Sequence, residues 1–83
     1  MRTLRIYRSG RVILTVTLEN DVLRLEGNPH LIRSLEEEGV VDLSSGRNLR
    51  VSQYLKGEEA SLVFKALCSH FQRASVYSVD IET

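Results

Sequence analysis

The most constraining feature of this chain is an apolar alternation from residue 3 to residue 26 that is broken twice by turn-forming pairs. The alternating runs are TLRIY, RVILTVTLE and VLRLE, and the breaks are Ser9-Gly10 and Asn20-Asp21. Alternation with period two is typical of strands that bury one face, and glycine or asparagine at a short break is typical of a hairpin turn. The pattern therefore predicts a three-stranded antiparallel meander.

The register of the first hairpin depends on the length of its loop. A two-residue loop, Ser9-Gly10, places Arg5 opposite Leu14, which mixes charge into the apolar face. A three-residue loop over residues 8–10 places Leu4 opposite Leu14 and keeps the apolar positions together. Because only one register buries a consistent face, we predict the three-residue loop, closed by a left-handed Gly10.

The second hairpin turns at Asn20-Asp21, residues that tolerate positive φ, and a two-residue loop aligns Leu18 with Leu23. The two hairpins together define an inward apolar face: Leu4, Ile6, Val12, Leu14, Val16, Leu18, Leu23 and Leu25. They also define an outward face: Thr3, Arg5, Tyr7, Arg11, Ile13, Thr15, Thr17, Val22, Arg24 and Glu26.

Two later segments carry the signals of helices. In GNPHLIRSLEEEG, Asn28 suits the N-cap, Pro29 the first helical position and Gly39 a left-handed exit. In GEEASLVFKALCSHFQR, helical spacing collects one apolar stripe: Ala60, Val63, Phe64, Leu67 and Phe71. The segment between these helices, residues 40–52, fits either a second hairpin or a structured loop. The final ASVYSVDIE predicts a strand.

The predicted order is β-β-β-α-(β-β)-α-β, and it indicates an α+β fold. The economical packing is a two-layer sandwich, with a largely antiparallel sheet of four to six strands and both helices on one face. The pattern leaves the order of the strands open. With 83 residues, the chain is too short for two independent cores, so we expect a single small globular domain over residues 1–83.

Composition argues against several classes of function. Eleven basic and eleven acidic side chains give zero formal charge, so no long-range attraction to nucleic acid or to an anionic membrane is expected. Cys68 is the single cysteine, which excludes an intramolecular disulfide and a multi-thiolate metal site. The N-terminus has no signal-peptide pattern, and the longest apolar stretch is too short for a membrane span. We expect a cytoplasmic protein with no membrane partner and no cofactor.

The titratable side chains form no recognisable catalytic set. Cys68 and His70 are two positions apart on a predicted helix, and such positions do not face each other. Asp42 and Asp80 lie near predicted strands but belong to no triad or carboxylate pair. We therefore assign no catalytic and no metal-binding residue, and we expect no enzyme.

One predicted turn has the composition of a weak anion site. It combines two hydroxyls, a glycine and an arginine: Ser44, Ser45, Gly46 and Arg47. These groups can contact a phosphate or a carboxylate, but the turn lacks the longer glycine pattern of a P-loop.

The outward face of the meander is the surface most relevant to function. It supplies the candidate partner-binding residues: Arg5, Tyr7, Arg11, Ile13 and Arg24. We interpret the chain as a non-catalytic small interaction domain that self-associates, as a homodimer, or binds a protein partner through this face or an edge strand. The alternative is a small nucleic-acid-binding or regulatory protein that uses the Arg/Tyr patch. Tyr7 is the single aromatic residue predicted there, whereas sheet platforms for single-stranded RNA use two or three.

Overall fold

The computed structural model describes residues 1–20, 22–39, 52–56 and 58–82. The strands are β1 (Arg2–Arg8), β2 (Arg11–Glu19), β3 (Val22–Gly27), β4 (Ser52–Lys56) and β5 (Ser78–Glu82). The helices are α1 (Pro29–Glu37) and α2 (Glu58–Arg73). The strands form one sheet in the order β4-β3-β2-β1-β5, and each neighbouring pair is antiparallel. The predicted α+β fold is confirmed.

The predicted register of the first hairpin is wrong. Its loop has two residues, Ser9 and Gly10, because Arg8 pairs with Arg11. Both loop residues have positive φ, 53° and 78°, as a two-residue turn that matches the strand twist requires. Such a loop is compatible with a buried apolar face because the ladder then shifts by one residue.

A β-bulge in β2 produces that shift. Tyr7 pairs with Val12, and the preceding residue, Ile6, pairs with Leu14. Ile13 is therefore the extra residue of β2. From there the register places Leu4 opposite Val16, and the inward apolar positions coincide again. A bulge inserts one residue on one strand and thereby returns the alternation to the correct face.

Gly27 allows β3 to approach this bulge closely. Gly27 pairs with Leu14 and has φ 151°. A Cβ atom built on Gly27 would overlap the carbonyl oxygen of Ile13 and lie 2.9 Å from the Cα of Leu14. The same carbonyl oxygen accepts a hydrogen bond from the backbone N–H of Asn28 at 3.1 Å. The bulge is therefore held by the backbone that leads from β3 into α1.

The second hairpin has the predicted register. Leu18 pairs with Leu23 and Val16 with Leu25, and Asn20 has a positive φ of 49°. Its two-residue loop is the length that the sequence predicts, because Glu19 pairs with Val22.

The core lies between the inward face of the sheet and the two helices. Among the described residues it consists of twelve buried apolar side chains: Leu4, Ile6, Leu14, Val16, Leu23, Leu25, Ile32, Leu35, Ala60, Phe64, Leu67 and Phe71. Leu18 and Val63 pack against this cluster and are partly buried. The prediction that Val12 faces inward is wrong, because the two-residue loop pairs it with Tyr7 and leaves it 49% exposed.

The first helix begins and ends at the predicted residues. The side chain of Asn28 accepts a hydrogen bond from the backbone N–H of His30 at 2.9 Å, and Pro29 opens the helix. Gly39, with φ 78°, follows the C-cap residue, and its N–H donates to the carbonyl of Glu36 at 3.1 Å. Capping by a side chain and exit through a left-handed glycine satisfy backbone groups that the helix leaves unpaired.

The long helix connects strands at the two edges of the sheet. α2 follows β4 at one edge and precedes β5 at the other, so the chain crosses the three meander strands. Five strands about 4.8 Å apart span about 19 Å. A helix of 16 residues is about 24 Å long, which is enough for this crossing.

Candidate interaction surface

The face of the sheet opposite the core carries no described helix, and we call it the open face. By alternation from the buried positions, its members on β1, β2, β3 and β5 are Thr3, Arg5, Tyr7, Val12, Thr15, Thr17, Glu19, Val22, Arg24, Glu26, Ser78, Asp80 and Glu82. An antiparallel sheet commonly leaves one face in water. Because this face belongs to five strands, it is the most extended surface that the described residues offer.

The structure separates two of the candidate residues from the others. Cross-strand partners project to the same face, so Arg11 and its partner Arg8 lie on the opposite side from Tyr7. Ile13 is the bulge residue, half-buried and packed against the core. The expectation that Arg11 and Ile13 share the outward face is therefore wrong, and the cause is the change of hairpin register.

Arg5 remains on the open face but is engaged by a carboxylate of β5. Its Nη1 atom lies 2.5 Å from Oε1 of Glu82, and Asp80 is its cross-strand partner. The hydrogen bond that Arg5 donates to Glu82, and then the negative charge of Glu82, raise the pKa of the Arg5 guanidinium. Glu82 was missed by the sequence reasoning, although it continues the period-two alternation of Ser78 and Asp80.

Arg24 is paired in the same way at the other side of the open face. Its Nε atom lies 2.7 Å from Oε1 of Glu26 on the same strand. Arg24 also lines a groove of about 550 Å³ near the second hairpin turn, whose other lining residues are Met1, Thr17, Glu19, Asn20 and Val22. The groove is partly open to solvent, unlike the pockets that bury most of the surface of a small molecule.

The outer edge of β5 pairs with no described strand, and we call Ser78–Glu82 with this free edge the β5 edge. Val79 and Ile81 project toward the core but are only partly buried. Their cross-strand partners on β1, Ile6 and Leu4, are completely buried. The difference follows from position, because an edge residue has a neighbouring strand on one side only.

The side chains of Cys68 and His70 are not brought together into a reactive pair. His70 contacts the neighbouring Phe71 edge to face, with ring centroids 5.0 Å apart. Burial raises the pKa of the Cys68 thiol, and the charge of Arg2 opposes this shift only in part. A raised pKa disfavours the thiolate, which is the nucleophilic form. Arg2 itself stacks over Phe64, with its Cζ atom 4.8 Å from the ring centroid.

The weak anion-binding candidates, Ser44, Ser45, Gly46 and Arg47, lie outside the described residues. No group of three or more histidine, cysteine or carboxylate side chains among the described residues is arranged to hold a metal ion. No helix in the described part of the chain has the length and apolar character needed to cross a membrane.

A scan against protein-family models and searches of the curated proteins and of the solved structures found no match for this chain.

Proposed function

We propose that this protein is a non-catalytic interaction domain that binds a protein partner, or a second copy of itself, through the open face and the adjoining β5 edge. The observation that carries the proposal is a five-stranded sheet with both helices on one side and no described element on the other. We place this function in the cytoplasm, on the composition and the single cysteine of the sequence.

The composition of the open face supports a protein partner. Tyr7, Val12 and Val22 supply apolar area, and tyrosine and arginine are enriched at protein interfaces. Threonines on β1 and β2 lie between these residues and the arginines. This mixture of apolar, hydroxyl and charged groups is typical of an interface that forms and dissociates.

The charge on the open face favours protein over nucleic acid. Arg5 and Arg24 each form an ion pair with a glutamate of the same face. Glu19 and Asp80 add further negative charge. A phosphate backbone would have to compete with these carboxylates for the arginines, so the nucleic-acid alternative has the weaker support.

Selection from a random dodecapeptide library tests the proposal. Peptides enriched on the wild-type chain are expected to lose binding to Thr15→Arg, at the centre of the open face, or to Asp80→Lys, at the β5 edge. The matched control is Lys65→Glu, an exposed charge change on α2. Enriched peptides that bind all three variants as well as wild type would contradict the proposal.

Two solution measurements separate the kinds of partner. Sedimentation velocity from about 10 μM to 1 mM detects self-association, and a monomer throughout excludes the homodimer in favour of a different partner. Titration with single-stranded RNA and DNA at about 50 mM salt tests the alternative, because phosphate contacts produce a steep salt dependence. Salt-sensitive binding that is lost in Arg5→Gln would overturn the preference for protein.

A further inference from the structure

We infer that the β5 edge is the docking site for an extended segment of a protein partner whose alternate residues are basic. Such a segment would add a sixth strand beside β5, with lysine or arginine above the open face and apolar side chains toward the core. The inference rests on the proposed function and assigns that function a particular edge and a particular partner chemistry.

Burial of the apolar side chains at the β5 edge is incomplete. Val79 and Ile81 pack against the core but remain partly exposed, whereas Leu4 and Ile6 on the next strand are completely buried. A strand added at the outer edge would cover this apolar area and pair the free backbone groups of β5. Tyr77 extends the apolar area just before β5, where its ring packs on that of Phe71 with the ring centroids 5.1 Å apart.

β5 lacks most of the features that block the addition of a strand. Edge strands are commonly protected by lysine, by proline or by a bulge. None of these occurs between Ser78 and Glu82, and the bulge of this sheet lies in β2. The strand has five residues and is about 17 Å long, which suffices to align a short peptide.

The charges of β5 are complementary to a basic partner. β5 presents Asp80 and Glu82 on the open face, and both are exposed. Asp80 also faces Arg5, its cross-strand partner, but Arg5 forms its ion pair with Glu82, and the charge of Asp80 is the smaller influence on Arg5. The two carboxylates of β5 therefore share one arginine, which leaves negative charge for a cation on an added strand. Opposite charges on facing strands stabilise the pairing and like charges oppose it.

The same charges disfavour a second copy as the occupant. Twofold antiparallel pairing centred on Asp80 would place two Asp80 carboxylates directly opposite each other. Pairing centred on Val79 would still place them on a diagonal, about 7–8 Å apart. Either arrangement gathers the carboxylates of both copies at one seam. The charges of the β5 edge therefore disfavour pairing with the β5 edge of a second copy and favour pairing with a basic strand.

The test uses a defined peptide and a charge reversal. The probe is an acetylated heptapeptide that alternates lysine with valine and isoleucine, N-methylated along one edge so that it can pair on one side only. One control peptide has glutamate for lysine, and another is N-methylated along both edges. Binding is measured by fluorescence anisotropy and by amide chemical-shift changes in the full chain. The variant is Asp80→Lys, and its control is Glu37→Lys, the same charge change at the end of α1.

The expected result is a preference of wild type for the lysine peptide of about two- to fivefold for each facing charge pair. Asp80→Lys reverses the preference, Asp80→Ser removes part of it, and Glu37→Lys leaves it unchanged. Shift changes are concentrated at residues 78–82. The peptide methylated on both edges does not bind.

Several results would overturn the inference. These are an absence of peptide binding, equal binding of the doubly methylated peptide, a preference that survives Asp80→Lys, or a wild-type dimer that Asp80→Lys dissociates. If library peptides lose binding to Thr15→Arg but not to Asp80→Lys, the interaction function stands and the edge assignment fails. If neither change reduces their binding, both fail.

Discussion

Gly27 shows how one missing side chain determines the path of two strands. A Cβ atom on Gly27 would overlap the carbonyl oxygen of Ile13, the bulge residue of β2. Its φ of 151° is also unfavourable for residues with a side chain. Glycine is therefore required here both for space and for conformation.

Replacing this residue gives the sharpest single-residue prediction. We expect Gly27→Ala to reduce the free energy of unfolding by about 2–3 kcal/mol, because the backbone of β2 or β3 must move. The control is Gly39→Ala, with φ 78° and open space around its Cα, for which a cost of about 1–2 kcal/mol from conformation alone is expected. Urea denaturation measures both, and equal losses would contradict the steric explanation.

The thiol of Cys68 is expected to react slowly in the folded protein. Burial raises its pKa, so less thiolate is present at pH 8 than in an unfolded chain. Alkylation with iodoacetamide at pH 8 should therefore be several-fold slower in buffer than in urea. Because the folded state retains this proton to higher pH than the unfolded state, the thiol also lowers stability as the pH rises through the unfolded pKa toward the folded one. Faster alkylation of the folded chain would indicate an activated cysteine and would reopen the enzymatic interpretation.

The elements differ in how they gain stability. α2 buries Ala60, Phe64, Leu67 and Phe71 on one stripe, and contact with the sheet stabilises this stripe. In contrast, the two hairpins depend on backbone conformation at their turns. Ser9, a residue with a side chain, adopts a positive φ of 53° in the first turn.

A pair of identical substitutions tests the helix stripe. Leu67 is completely buried and Leu62, on the same helix, is 67% exposed. We expect Leu67→Ala to cost about 2–5 kcal/mol, because it leaves a cavity in the core. Leu62→Ala should change the free energy of unfolding by less than about 0.5 kcal/mol. Thermal and urea denaturation measure both, and a large effect at Leu62 would mean that this side chain is covered by another molecule.

The whole molecule is a sheet with a protected centre and an exposed side. β1 and β2 are flanked by strands on both sides, whereas β5 has one neighbour. The core covers one face only, and the other face carries two arginine–glutamate pairs. The face that packs in the core and the face proposed to bind a partner are therefore opposite faces of one sheet.

Hydrogen exchange is expected to reproduce this arrangement. Amides of β1 and β2 that pair within the sheet should exchange only by global unfolding, and those of β5 should exchange earlier by local opening. Addition of the lysine peptide should slow exchange in β5. Equal protection of β5 and β1 in the free protein would show that the β5 edge is already covered in solution.

Features that depend on a few neighbouring residues can be predicted from the sequence. The location of both turns (but not the length of the first), the Asn28 cap, the Gly39 exit and the apolar stripe of α2 follow from spacings of two to four residues. The inward and outward alternation of β3 follows in the same way. These features form wherever the chain has this local pattern, so they can be predicted without the rest of the fold.

Contacts between distant residues determine the register of the first hairpin, the order of the strands and the formation of β4. A regular ladder fails at the first hairpin, and the bulge that corrects it requires Gly27 to fit against Ile13. In β4, SQYLK lacks alternation, and the strand is recognised by its pairing with β3. Because of the register, the set of candidate residues lost Arg11 and Ile13 and gained Val12. Glu82 joined it because β5 pairs with β1. Local spacing specifies which face a strand buries, but the partner backbone specifies where the alternation is reset and which strands become edges.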